Sequence, residues 1–316
     1  MKRRVRKRYS PSNAVTLFPG DCLHLLKKIP AGSARLVLTS PPYNVGKSYE
    51  TPRSLSDYLE DQREVIAECV RITSDGGSIC WQIGHHVNGH SQVIPLDIML
   101  HPLFAQYEQS DGIRLRNRIV WHFEHGLHCK RRFSGRHETI LWYTKGDDYV
   151  FNLDDVRVPQ KYPGKRAYKG PNRGKYSGNP LGKNPSDVWI FPNVKANHTE
   201  KTAHPCQFPI ELAERLILAL TCENELVVDP YLGSGTTAVA AVLLSRKAAG
   251  AELVTSYFEI ARQRIRLAQK GTVPRRPLAK PVHVPKANTP LTIVPAEFAR
   301  HPQPASLQLR TQSRAA

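Results

Sequence analysis

No stretch of the 316 residues is long and apolar enough to enter a membrane. The basic start MKRRVRKRYS is not followed by the apolar segment of a secretory leader. Paired cysteines are missing too. Cys22, Cys69, Cys80, Cys129, Cys206 and Cys222 are scattered with no CxxC, which argues against a disulfide framework and for reduced thiols in a cytoplasm. Acidic residues are scarce: 27 Asp and Glu stand against 45 Lys and Arg, a formal charge of +18. That balance calls for a polyanionic partner, a nucleic acid before a membrane surface. GxGxxG and GK[ST] are both absent, which disfavours nicotinamide and nucleoside triphosphate cofactors. There is no internal repeat.

What is present is an alternation of short apolar runs with helical patterns. Residues 14–18, 35–38, 78–83, 139–143, 225–228 and 248–251 read as strands, and 55–72, 209–221, 236–245 and 256–269 as helices. The alternation predicts an α/β fold: a mostly parallel sheet with helices on both faces, whose ligands bind at the carboxyl ends of the strands. Residues 1–11 form a basic arm, 12–271 the body, and 272–316 a tail. The tail has eight prolines, seven Lys/Arg and one Glu without apolar periodicity, and is expected to be disordered. Residues 84–136 stay mostly unassigned.

Two motifs follow predicted strands and therefore open onto one sheet edge. Glu225-Leu-Val-Val-Asp229 is a buried-strand pattern. Gly233 and Gly235 then allow a tight turn with close backbone approach, and Thr236 leads into an alanine-rich helix. The next strand ends at Glu252, placed to accept hydrogen bonds from ribose hydroxyls. At the other end, Thr39-Ser40-Pro41-Pro42-Tyr43-Asn44 is a rigid turn. Proline fixes φ and carries no N–H, so the Pro41 carbonyl is available to a substrate, with the Ser40 oxygen as a second acceptor. Such acceptors suit an exocyclic amino group, whose lone pair is delocalised until its N–H bonds are engaged. Tyr43 is suited to stack on a base swung out of a duplex, a contact of about 1–3 kcal/mol.

The stretch VVDPYLGSGTTAVAA, with Tyr231 where Phe is common, and the Ser-Pro-Pro-Tyr turn together resemble the DNA amino-methyltransferases of the beta class. His204-Pro205-Cys206-Gln207-Phe208-Pro209 is similar to that family's His-Pro-Thr-Gln-Lys-Pro segment but departs from it at Cys206 and Phe208. The resemblance spans about residues 14–270 and implies a circularly permuted, Rossmann-like methyltransferase sheet with a small DNA-recognition insertion. It implies S-adenosylmethionine (SAM) as cofactor, held by Asp21, Asp229, Pro230, Tyr231, Gly233, Gly235, Thr236 and Glu252. For Asp21 a plain helix N-cap is the equal alternative. It also implies catalysis by Ser40, Pro41, Pro42 and Tyr43 on double-stranded DNA. A cognate restriction endonuclease, a homodimer and a prokaryotic, nucleoid-associated setting follow from it as expectations. Ser40 leans towards cytosine-N4. Asn44, extending the motif to Pro-Pro-Tyr-Asn, keeps adenine-N6 open.

DNA recognition is expected within residues 155–200. Residues 160–183 carry seven Lys/Arg, three Tyr, five Gly and no acid. Lys165, Arg166, Lys169, Arg173 and Lys175 suit phosphate, and Tyr162, Tyr168 and Tyr176 suit stacking. A flexible linker has the same composition. Residues 46–51 read as a loop closing over cofactor or base. His122, His125, His128 and Cys129 match no standard zinc spacing, so no metal is expected. RNA or protein substrates, or a catalytically silent DNA-binding protein, are the competing readings.

Overall fold

Strands and helices alternate where the apolar patterning places them. The computed structural model describes residues 4–46, 53–87, 92–123, 126, 128–278, 280–283, 286, 289 and 292–293. In chain order the elements are β1 (Val5–Arg6), β2 (Val15–Pro19), α1 (Cys22–Leu26), β3 (Ala34–Thr39), α2 (Leu55–Ile72), β4 (Thr73–Ile83), β5 (His85–Val87), β6 (Val93–Pro95), α3 (Leu96–Ala105), α4 (Glu108–Asp111), β7 (Ile113–His122), β8 (His137–Lys145), β9 (Val188–Ile190), α5 (Ile210–Leu220), β10 (Leu226–Asp229), α6 (Thr236–Leu243), β11 (Lys247–Glu252) and α7 (Thr255–Gln269).

Nine strands form one sheet in the order β1-β2-β11-β10-β3-β4-β8-β7-β9, and β5 pairs with β6 separately. Neighbours from β1 through to β4 pair in parallel. β8 runs antiparallel to both β4 and β7. The reversal has a consequence for the site. The first residues of β8 come to the edge where the parallel strands end, so that Thr139 pairs with Ile83 and Glu138 with Trp121.

Side chains alternate between two cores, as the two-residue period of a strand requires. Leu36 and Leu38 of β3 pack with α5, α6 and α7 on one face, whereas Val37 packs with α1, α2 and α3 on the other. β10 is buried on both faces, which explains its unbroken apolar run. Helix α2 starts where the Ser54 hydroxyl accepts from the Asp57 amide at 3.1 Å. That cap and its amphipathic spacing account for the match between its predicted and observed limits.

Three expectations need correction. Residues 5–6 are not part of a free arm, because they add an edge strand to β2. Residues 84–136 hold β5, β6, α3, α4 and β7. Their strands carry too many Arg and His to show a simple period, since one end of β7 is paired with acids at the surface. The tail does not become irregular and solvated at residue 272. Val273 is buried, Arg275 pairs with Glu214, and Arg276 pairs with the fully buried Glu211. Two carboxylates on the inner side of α5 need these partners, and helix periodicity does not reveal charges that are buried in pairs. Residues 281–316 form a separate unit.

Candidate active site

Four adjacent strands, β2, β11, β10 and β3, bring their carboxyl ends together around a cleft of about 1000 Å³. Gly20 and Asp21 line it after β2, Ser40 to Tyr43 after β3, Pro230 to Ser234 after β10, and Glu252 to Val254 after β11. The two motifs, about 190 residues apart in sequence, thus share one edge because β3 and β10 pair, with Val37 opposite Val228.

Asp229 lies beneath the cleft, 1% exposed. Its Oδ1 accepts from the Thr39 hydroxyl at 2.6 Å and from the Tyr231 amide at 3.1 Å. Its Oδ2 is buried with no partner among the described residues. Burial outweighs these bonds and pushes the carboxyl up to about 6. Tyr231 lines the cleft and uses the hydroxyl that Phe would lack to accept from Gln62 of α2 at 3.0 Å. Glu252 accepts from the Gly233 amide at 2.8 Å and the Val254 amide at 2.7 Å, so it braces the glycine turn as well as lining the cleft. Asp21 does both things proposed for it: it caps α1 by accepting from Leu23 at 2.7 Å, and it lines the cleft.

Gly233 has φ +53°, and a Cβ there would sit 3.1 Å from His204 Nε2. Gly235, with φ +80°, does not line the cleft. A Cβ there would stand 2.8 Å from the Ala261 Cβ, so Gly235 packs the turn against α7 and shapes the cleft from behind. Sequence reasoning missed Arg264, which is buried and donates to the Ser234 carbonyl at 2.8 Å and the Thr236 hydroxyl at 3.1 Å. It also gave no role to His204. That ring packs edge-on to Tyr257 at 4.5 Å, its Nδ1 accepts from the Cys206 amide at 3.2 Å, and burial pushes it down to about 4. At neutral pH it is an uncharged imidazole.

A second cleft, of about 1490 Å³ and open to solvent, joins the first along Ser40, Tyr43, Cys206, Gln207 and Phe208. Its walls include Gln82, Gly84, His85, Trp121, Arg132, His137, Glu138 and Lys195. Ser40 Oγ lies 3.0 Å from Tyr43 Oη. Tyr43 donates to Glu138 Oε2 at 3.1 Å, and Gln82 Nε2 donates to both Tyr43 Oη, at 3.2 Å, and Glu138. The Tyr43 ring lies against Gly84, where a Cβ would come within 2.8 Å of it. Asn44, at φ +55°, brackets the chain beyond the turn: its amide accepts from Arg53 N at 3.0 Å and donates to Arg53 O at 2.8 Å. Residues 47–51 of the expected closing loop lie outside the described residues.

Lys165, Arg166, Lys169, Arg173 and Lys175 are all exposed, and none lines either cleft. Their loop closes on itself through a bridge between Val158 and Lys183, and Arg166 lies over the Tyr176 ring at 4.3 Å. A second basic strip borders the open cleft directly. Lys130, Arg131, Arg132 and Arg136 flank Phe133, which is 100% exposed, and Arg132 and Gly135 line the cleft. The Arg-rich composition of this segment was visible, but its place beside the site was not. Among the described residues no three His, Cys, Asp or Glu are grouped to hold a metal ion, and His125 lies outside them. No helix among them is long and apolar enough to cross a membrane.

The DNA methylase family model of N6/N4 type matches residues 34–263. The type II methyltransferase M.BglII of Bacillus subtilis is 49% identical over 247 residues, which make up 78% of this chain and 68% of the relative. In structure the chain is similar to the cytosine-N4-specific PvuII DNA methyltransferase, with TM-score 0.62 and 21% identity over 81% of this chain and 92% of that one. It is also similar to M1.HpyAVI in complex with SAM, with TM-score 0.53 and 22% identity over 79% of this chain and 98% of that one. Sheet order, motif placement and family match lead to one conclusion: this chain belongs to the N6/N4 DNA methylases and is a SAM-dependent, site-specific DNA methyltransferase.

Proposed function

We propose that the enzyme moves a methyl group from SAM to the exocyclic amino nitrogen of a base turned out of double-stranded DNA, with cytosine-N4 as the favoured target. The observation that carries this reading is Ser40, whose hydroxyl lies on the seam between the enclosed cleft and the open one. Bound SAM supplies an electrophilic methyl group on a cationic sulfur. Asp21 and Glu252 are placed for its nucleoside part. The unpartnered Oδ2 of Asp229, the Gly233 turn and the start of α6 are placed for its amino-acid part. Neutral His204 adds no charge against a cation there. Ser40 Oγ and the Pro41 carbonyl accept from the amino group, which frees the nitrogen lone pair and fixes its approach. Pro42 holds the turn rigid. Tyr43 is tied at its hydroxyl, so its ring is a fixed platform for the base and not a mobile one.

Ser40 in place of an aspartate supports cytosine. Asn44, the residue that kept adenine open, is occupied in bracketing Arg53 and so weighs little against cytosine. The Lys130–Arg136 strip supports contact with the backbone beside the open cleft, with Phe133 in place to fill the gap left by the base. The exposed loop of residues 160–183 is read as a second, more distant phosphate contact. The likeness to a type II methyltransferase supports a place in a restriction–modification pair. Incubation with SAM and unmethylated DNA, followed by nucleoside mass spectrometry, tests the reading. N4-methylcytosine is expected. N6-methyladenine keeps the chemistry and moves the base, and neither product overturns the reading.

A further inference from the structure

A hydroxyl is donor and acceptor at once, so Ser40 serves an amino group only if its own proton points elsewhere. The contacts behind Ser40 settle that direction. Glu138 Oε2 is met by two donors, the Tyr43 hydroxyl and Gln82 Nε2. A carboxylate only accepts, so the Tyr43 proton is drawn towards Glu138. The Tyr43 oxygen is left as the acceptor 3.0 Å from Ser40 Oγ. The Ser40 proton then goes to Tyr43, and its two lone pairs remain for the substrate amino group. Glu138 also orients Gln82, whose Oε1 is buried with no partner among the described residues.

We propose that Glu138 is a positioning residue for methyl transfer, acting through Tyr43 to fix the hydrogen-bond direction of Ser40 as an acceptor. The inference rests on the role given to Ser40 above. Residue 138 is placed for this work because β8 runs against its neighbours, which brings its first residues to the strand ends. When Glu138 gains a proton it can donate to Tyr43. The chain of bonds can then reverse, and Ser40 would turn its proton towards the N–H it must accept.

Burial raises the Glu138 carboxyl above its ordinary value, while its bonds from Tyr43 and Gln82 and the charge of Lys195 oppose the rise. Reversal therefore sets in as pH falls through that raised value, and the rate should show an acid limb. His85 and His137, edge-to-face at 5.2 Å, and Arg132 and Cys206 line the same cleft. A limb due to the histidines would survive changes at Glu138.

The test uses the full chain, SAM and whole-genome-amplified bacterial DNA, with single-turnover rates from pH 5 to 9 and SAM affinity measured alongside. Glu138→Ala removes the acceptor and should slow transfer about tenfold or more with unchanged SAM affinity. Glu138→Gln offers an amide oxygen to the same two donors but does not titrate. It should recover most of the rate and lose the acid limb. The proposal is overturned if Glu138→Ala keeps the wild-type rate, if Glu138→Gln keeps the wild-type acid limb, or if the two variants behave alike. Failure of the wild type to methylate DNA would sink the role of Ser40 instead. An infrared carboxyl band that titrates in wild type, is absent from Glu138→Gln and moves in Tyr43→Phe would still report the linkage. A band unaffected by Tyr43→Phe would refute it.

Discussion

At the scale of single residues, Ser40 and Asp229 make opposite demands on the fold. Ser40 costs the protein little, and its removal should be felt in rate alone. Ser40→Ala should lower the methyl-transfer rate about 100-fold or more, in line with loss of one preorganised polar contact, with SAM affinity unchanged in calorimetry. A variant as fast as wild type would remove Ser40 from the chemistry. Asp229 is a buried carboxyl whose ordinary value of 3.8 rises to about 6 in the folded chain. The folded state holds this proton more tightly than the unfolded one. The residue's contribution is therefore most favourable below pH 3.8 and is lost as pH rises through about 6, a span worth about 3 kcal/mol. Asn cannot ionise. The difference in melting temperature between Asp229→Asn and wild type, without ligand, should move in favour of Asn as pH goes from 4 to 7. SAM-induced stabilisation should shrink in the variant. A pH-independent difference would contradict the assigned burial cost.

The elements around the open cleft divide DNA contact between two basic segments. The loop of residues 160–183 stands away from both clefts, so its charges should act through phosphate without touching the base. Neutralising Lys165, Arg166 and Lys169 should reduce the slope of log affinity against log salt by about 2.7 and leave the rate on saturating DNA unchanged. An unaltered slope would remove the loop from the interface. Phe133 belongs to the nearer strip. Phe133→Ala should weaken base extrusion, read as loss of the fluorescence rise from 2-aminopurine placed at the target, while the salt slope stays as in wild type. A full fluorescence rise in that variant would mean that the gap is filled by another side chain.

For the molecule as a whole, closure of the fold depends on residues beyond the last helix. Glu211 and Glu214 of α5 are buried, and their partners Arg275 and Arg276 come from the segment that reads as a solvated tail. Truncation after Gly271 should cost about 3–5 kcal/mol in chemical denaturation, because it strands buried carboxylates, whereas truncation after His283 should cost far less. Equal stability of the two would show that the pairs carry no weight. The sequence by itself determined the parallel α/β layering, the limits of α2 and the two ligand turns. Each of these is written in local terms: a two- or 3.6-residue apolar period, a serine cap, and glycines where φ is positive. Only the tertiary structure decided that β3 and β10 are neighbours, that β8 reverses to bring Glu138 behind Ser40, and that Phe133 borders the open cleft. It alone paired Arg276 with Glu211 across 65 positions. These are relations between distant segments, set by strand order and by the pairing of buried charges, and no local pattern encodes either.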